Sequence, residues 1–416
     1  MGLAINNLAP ASEDRASGGK IINQSLRFNS LDSSYLSRTL AASQTRTYSF
    51  WYKYTDLSAG NMYLFHHKNS DDSRYLGVRS GGSPSENQWQ TLNQGSSLTS
   101  IFVSGVKFRD PGAWQHFVFK CTASNVTQYI NGVEYGSAGG ANAALTGGTL
   151  EIGARGGAEF FGAYIADFHF VDGQGLEPTD FGFTDPLTNT WRPKKYTGTY
   201  GANGCHLDFS DSSNIGADRS GNGNDFTANA FNSSDVLPDS PSGISYSTAS
   251  TSGITTSNQI KPTNWCILNA VARESAGGGG QSPSSLTISQ AGLSASSTAD
   301  RGVRGNMAVS SGKWYFEATK TSTVQHSDGV GWQSFTSGDT YSVYYRDNGA
   351  DKTDTVNSSA GTHATFTNGD VIGAALDLDA NTISFYKNGS FVFSKTANTS
   401  ATEPWGPGLI LSLIHI

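Results

Sequence analysis

The chain has 416 residues, enough for two or three domains, each able to bury its own core. Only 15% of residues are charged, against roughly 25% in an average soluble protein, and the formal net charge is −7. Lys and Arg never gather beyond Arg192-Pro193-Lys194-Lys195, so the basic surface that a nucleic-acid binder needs is missing. Gly numbers 49 and aromatics make up 11%, a composition that suits short strands and tight turns rather than disorder.

The opening MGLAINNLAP has neither the basic start nor the apolar run of an export signal. No segment approaches the roughly 20 apolar residues that cross a bilayer as a helix, so membrane insertion is not expected. In WQHFVFKC, Phe117, Phe119 and Cys121 fall on one face and Trp114, His116, Val118 and Lys120 on the other. VTQYI returns, and Asn131-Gly132 turns the chain again, a pair that favours a type I′ hairpin because both residues accept positive φ. The same plan recurs in GDVIGAALDLD, TISFYK and Asn388-Gly389, with Ile372, Ala374, Leu376, Leu378, Ile383 and Phe385 pointing inward. Between these meanders the text turns rich in Ser, Asn, Asp and Gly, broken by isolated residues such as Trp191, Tyr196, Tyr200 and Phe226. It reads as a connector that packs on its neighbours. AGGGGQSPSS is expected as a flexible loop. Cys121, Cys205 and Cys266 are odd in number and widely spaced, which predicts buried thiols rather than disulfides or a zinc site. The last six residues, LSLIHI, match the translation of a sequencing-library adapter, so the native chain is expected to continue past about Ile410.

Residues from about Gln24 to Phe181 resemble a laminin-G-like, concanavalin A-type jelly roll, through SLRFNSLDSSYLSR, YSFWYKYTD, WQHFVFKCTASNVTQYINGVEY and GAYIADFHFVDGQGLEP. From about Asn264 the chain resembles a SPRY (B30.2-like) domain, through SGKWYFEAT, GVGW and GDVIGAALDLDANTISFYKNG. The resemblance implies an all-β protein of two antiparallel sandwiches joined by an irregular connector. The expected layout is an arm at 1–23, a jelly roll at 24–182, the connector at 183–263, a truncated SPRY-like sandwich at 264–410 and a non-native tail at 411–416. The order of the pieces is similar to tail-associated structural proteins of marine bacteriophages. That likeness implies a non-catalytic virion component, made in the host cytoplasm, that contacts host-surface carbohydrate or protein and other virion proteins. Homo-oligomerisation is left open.

Glucanases of this fold carry Glu-x-Asp-x-x-Glu on one strand, which sets nucleophile and acid on one face. Here Glu134, Glu151 and Glu159 are scattered, with no Asp two residues on. A polysaccharide-degrading enzyme and a purely architectural subunit remain the rival readings. The His66-His67 pair reads as a loop or surface pair whose side chains point opposite ways if extended. The resemblance implies a structural calcium at Asp167, on the closing strand of the jelly roll, with backbone carbonyls near Asn29 as further oxygen donors; the alternative is that Asp167 accepts hydrogen bonds at a sheet edge. No other cofactor is called for. A sugar site wants an aromatic platform beside polar donors. Arg74, Tyr75, Arg79, Asn87 and Trp89 offer one set; Tyr345, Arg346 and Asp347, with Tyr344 and Asn348, offer another. Trp51, Trp114, Trp314 and Phe316 are assigned to core, because they sit mid-strand in apolar patterns.

Overall fold

The computed structural model describes residues 19–41, 43–55, 62–69, 75–80, 89–94, 98–102, 110–139, 147–186, 188–242, 245–247, 250–251, 254–255, 259–261, 264–275, 286–298, 301–322, 328–334, 342–353, 361–397 and 404–411. Two compact units divide the chain, Met1–Trp265 and Cys266–Ile416. Among the described residues there is no α-helix.

The first unit is built from β1 (Ser25–Phe28), β2 (Tyr35–Ala41), β3 (Arg46–Tyr54), β4 (Met62–Lys68), β5 (Tyr75–Ser80), β6 (Trp89–Gln94), β7 (Leu98–Phe102), β8 (Trp114–Cys121), β9 (Asn125–Ile130), β10 (Val133–Gly139), β11 (Gly147–Ile152) and β12 (Ala163–Asp172). Short strands from the connector follow: β13 (Gly182–Thr184), β14 (Trp191–Pro193), β15 (Cys205–Leu207), β16 (Thr227–Asn229) and β17 (Val236–Leu237). One sheet runs β10-β9-β8-β3-β12-β1-β17 with β15 also on β12, and the other runs β16-β2-β11-β4-β5-β6-β7. The connector thus adds strands to both sheets, and its Cys205, Leu207, Phe209, Ile215 and Phe226 enter the core between them.

Period-two alternation explains that core. Phe50, Phe117, Phe119, Phe168 and Phe170 all face inward from neighbouring strands of the first sheet. Phe50 stacks on Phe168 at 5.7 Å and meets Phe117 edge-on at 5.8 Å. The opposite face of the same sheet is also buried: β3 and β12 have no exposed residue along their length. Trp51 and Ala166 there pack with Ile22, Trp114 and Trp191, while Val118 and Val171 pack with Phe181, Tyr196 and Tyr200. The isolated aromatics of the connector are therefore a second apolar layer.

Trp191 shows how that layer is seated. Its indole N–H donates to His116 Nδ1 at 3.0 Å, which leaves His116 Nε2–H to donate to Ser49 Oγ at 2.8 Å. Burial holds the His116 imidazole down to about 3, so it stays neutral. Lys53, fully buried, pairs with Asp239 Oδ2 at 2.8 Å and also donates to Asn264 Oδ1 and the Trp265 carbonyl. Against expectation, His66 and His67 are neither loop nor surface residues. Both are buried on β4, with His66 beside Glu151 on the outer side and His67 Nδ1 against the Tyr48 hydroxyl on the inner one.

Four short strands, β18 (Ser245–Ser247), β19 (Ser250–Thr251), β20 (Ile254–Thr255) and β21 (Gln259–Lys261), form two pairs, β18-β21 and β19-β20, and still belong to the first unit. The strands of the second unit are β22 (Leu268–Ser275), β23 (Leu286–Ser289), β24 (Ser294–Ser297), β25 (Arg301–Gly305), β26 (Lys313–Thr319), β27 (Gly329–Ser334), β28 (Ser342–Arg346), β29 (Asp351–Thr353), β30 (Val371–Asp377), β31 (Thr382–Lys387), β32 (Ser390–Thr396) and β33 (Trp405–Leu411). A six-stranded sheet, β22-β25-β33-β27-β28-β29, faces a four-stranded one, β26-β30-β31-β32. Between them Val330, Trp332, Tyr345, Ile372, Leu376 and Phe385 form the core. No disulfide joins the cysteines; Cys121 and Cys205 are buried, but Cys266 is only half-buried, a departure from the expected three buried thiols. The AGGGGQSPSS loop and residues 412–416 of the tail lie outside the described residues.

Both Asn-Gly turns adopt the expected backbone, with φ of 50° and 81° at Asn131 and Gly132 and of 49° and 78° at Asn388 and Gly389. Their surroundings differ. A Cβ on Gly132 would stand 2.5 Å from the Trp191 ring, whereas a Cβ on Gly389 would meet nothing within 4 Å. Gly389→Ala should therefore cost about 1 kcal/mol, the backbone strain alone, and Gly132→Ala about 2–4 kcal/mol, since Trp191 must also give way. Urea unfolding of the two variants checks this, and equal shifts would mean that Trp191 is not seated on the hairpin.

Candidate functional site

The four-stranded sheet of the second unit buries one face and opens the other. Phe316, Ile372, Ala374, Ile383 and Phe385 face the core, so Tyr315, Gly373, Ala375, Ser384 and Tyr386 face outward by alternation. Register sets Tyr315 opposite Ala375 and Ala375 opposite Ser384, and it sets Gly373 between Glu317 and Tyr386. Small residues on the middle strand thus make a floor, and rings rise on either side. Tyr315 leans across that floor: a Cβ on Gly373 would lie 2.2 Å from its hydroxyl oxygen. Tyr315 meets Tyr386 edge-on at 6.4 Å, and Tyr386 meets Phe391 edge-on at 5.9 Å. Tyr315 is 53% exposed and Phe391 61% exposed, high values for large rings in a folded protein.

Polar groups frame the rings. Lys313 Nζ pairs with Asp377 Oδ2 at 2.6 Å, which raises the ammonium and lowers the carboxyl from their ordinary ranges. The Tyr315 hydroxyl donates to Glu317 Oε1 at 2.7 Å. Partial desolvation, then this bond, push the phenol up to about 12, so it stays a hydrogen-bond donor. A groove of about 360 Å³ runs between Lys313, Trp314, Tyr315, Asp377, Ser384 and Tyr386.

Trp314 therefore corrects the sequence reading. It is 46% exposed, because it stands at the start of β26 with its indole N–H donating to the Ser311 carbonyl. Trp51 is buried as expected, while Trp114 and Phe316 are half-buried against core clusters. Tyr345 and Asp347 are corrections of the opposite sign. Tyr345 is a core residue whose hydroxyl donates to the Ala364 carbonyl, and Asp347 is fully buried against Lys320. Lys320 Nζ also holds Asp328 Oδ2 at 2.8 Å. Neither residue can reach a ligand. The reason is that Tyr345 faces the core between the two sheets and Asp347 follows β28 into the buried pairing with Lys320; Tyr344, likewise buried, bonds Gln333. Arg346 is half-buried and Asn348 lies in an exposed turn. Of the other set, Arg74 and Asn87 lie outside the described residues. Tyr75, Arg79 and Trp89 fall on the paired strands β5 and β6, and their side chains lie outside the described residues too.

The calcium pair is not assembled. Asn29 lies beyond one end of the β1–β12 ladder, where Phe28 pairs with Ala163, and Asp167 lies beyond the other, past Leu26 and Ile165. Asn29 is used locally, its side chain bonding Asp32 and the Leu31 amide. Asp167, in a bulge of β12 with φ of 52°, is surrounded by nitrogen: Lys20 Nζ at 2.5 Å, His206 Nε2 at 2.7 Å and His169 Nε2 at 3.1 Å. Calcium takes six to eight oxygens, so this donor set does not fit it. Burial alone would raise the Asp167 carboxyl, but the Lys20 ammonium and the two imidazoles outweigh burial and hold it well below the usual range.

Residues 29–176 match the family model of the concanavalin A-like lectin/glucanases superfamily, and residues 313–407 match that of the SPRY domain. The chain joins a laminin-G-type concanavalin A-like domain to a SPRY domain. Among curated proteins none matches it. Among solved structures it is similar to a heptameric SAP-like pentraxin from Limulus polyphemus, at 17% identity and a TM-score of 0.31, over 38% of this chain and 80% of that one. It is also similar to the SPRY domain of human HERC1, at 19% identity and a TM-score of 0.26, over 29% and 84% of the two chains. The mouse laminin alpha1 LG4-5 structure is a third, at 11% identity and a TM-score of 0.32, over 96% and 84%. The domain content supports a carbohydrate- or protein-binding role.

The two lysines of the SPRY domain named above separate architecture from surface. Replacing Lys320 with Met leaves Asp328 and Asp347 buried together without their cation, which should cost about 3–5 kcal/mol. Replacing the exposed Lys313 with Met should leave the unfolding midpoint where it was. Thermal denaturation of the full chain compares them, and a Lys320 variant as stable as the parent would contradict the buried pairing.

Proposed function

We propose that the protein is a non-catalytic recognition component of a phage virion, tail or tail-fibre in type, which binds host-surface carbohydrate through the exposed face of the SPRY sheet. The observation that carries the binding is the row Tyr315, Tyr386 and Phe391 over a floor of Gly373, Ala375 and Ser384. Sugars present apolar C–H faces ringed by hydroxyls. Rings rising from a small-residue floor accept the first, while Lys313, Asp377, Glu317 and Ser384 can meet the second. A groove of about 360 Å³ is of the size that holds a small ligand. An open groove of this kind supports weak single contacts, which several copies on one particle would multiply. The phage setting rests on the order of the two domains and on the connector between them, which resemble tail-associated proteins. No catalytic step is assigned to any residue.

The test is a glycan array probed with the full chain and with Tyr315→Ala and Tyr386→Ala. We expect selective retention by the parent and at least about tenfold weaker retention by each variant, with unchanged unfolding midpoints. Variants that bind like the parent would remove the sheet face from the account. Release of oligosaccharide from a bound polysaccharide would overturn the non-catalytic reading.

A further inference from the structure

In the first unit, β12 and β15 bring together a cluster that the binding surface does not use. Register sets His169 directly opposite His206, and their rings stack at 4.3 Å with planes 2° apart. Asp167, two residues before His169, turns its carboxylate toward both rings from the bulge of β12. One oxygen of Asp167 and one nitrogen of each imidazole lie within 4.8 Å of one another. The carboxylate reaches His206 Nε2 with Oδ1 at 2.7 Å and His169 Nε2 with Oδ2 at 3.1 Å, on the scale of the separation between neighbouring ligands of one metal ion, about 3 Å when each bond is about 2.0–2.1 Å.

Two further observations point to a cation. His169 is 2% exposed and its Nε2 has no hydrogen-bond partner, although it is aimed at Asp167. Its Nδ1 meets the Tyr200 hydroxyl at 2.8 Å; a hydroxyl accepts as readily as it donates, so it can hold the proton on Nδ1 and leave the Nε2 lone pair free. Lys20 Nζ meanwhile sits 2.5 Å from Asp167 Oδ1 and 3.3 Å from His206 Nε2. An ammonium already occupies the place where a positive charge belongs.

We infer that Asp167, His169 and His206 form a binding site for a divalent transition metal of the zinc class, and that Lys20 fills it when the metal is away. Two imidazoles and one carboxylate suit Zn²⁺, Co²⁺ or Ni²⁺ and not Ca²⁺ or Mg²⁺. Binding moves the Lys20 side chain off Asp167 and leaves the fourth position to water. The site ties β12 to the connector strand β15, so its load is structural.

The test uses untagged full-length protein, stripped with chelator and titrated with Co²⁺ while visible absorption is recorded. One equivalent should develop the ligand-field bands of a four- or five-coordinate site, and Zn²⁺ should abolish them. Lys20→Met should tighten Co²⁺ binding by about tenfold or more, since a competing charge is removed. His169→Ala and His206→Ala should each weaken it by about tenfold or more. Circular dichroism shows whether the histidine variants fold; if they do not, the parent and Lys20→Met decide the matter alone. The inference is overturned if neither of those two gives saturable bands, if Lys20→Met does not tighten binding, or if the bands survive in folded histidine variants.

Discussion

A sheet that is apolar on both faces cannot stand in water on either side, and in this protein that constraint organises the first half of the chain. Strands β3, β8 and β12 send phenylalanines into the sandwich and Trp51, Val118, Ala166 and Val171 out of it. The outward set needs a second layer, and the segment after β12 supplies it with Phe181, Trp191, Tyr196 and Tyr200. Several polar groups trapped beneath find partners: Trp191 bonds His116, Tyr200 bonds His169 Nδ1, and Asp239 meets Lys53. Burial lifts the Asp239 carboxyl above its ordinary range even so, a sign of how little water reaches that layer.

This covering bears on where recognition takes place. Much of the outer face of the first large sheet is spent on packing, so it is not open to a ligand. Among the described residues nothing covers the four-stranded sheet of the SPRY domain in this way, and Tyr315 and Phe391 are more than half exposed. Rings left open in this way cost solubility, and folded proteins rarely group them on one surface without a use. The two domains thus treat the same architecture differently: one buries both faces of its central strands β3 and β12, while the other presents exposed rings on one face among the described residues.

Much of this was legible in the residues. Alternation placed Phe117, Phe119 and Cys121 inward, and Asn131-Gly132 and Asn388-Gly389 marked turns that the backbone adopts. Trp314 was misplaced because it shares the parity of the core-facing Phe316 and Ala318, and period two cannot say where along a strand the core ends. Tyr345 and Asp347 were misplaced because their burial depends on neighbours distant in sequence; nothing near Asp347 announces that Lys320 will neutralise it. The His169–His206 pairing hid for the same reason, since only the fold aligns the two strands that carry these residues. The aromatic row of the SPRY sheet was in principle readable, as Tyr315 and Tyr386 have the outward parity of strands whose inward residues were called correctly.

If the connector is the second layer of the first sandwich, a fragment that lacks it should not fold. Urea unfolding of a fragment ending at Trp265, beside one ending at Gly182, measures this directly. The account predicts a single cooperative transition for the longer fragment and none for the shorter, which would expose Trp51, Val118 and Val171 to water. A shorter fragment that unfolds cooperatively at the same midpoint would show that the sheet stands without its cover, and would contradict the account.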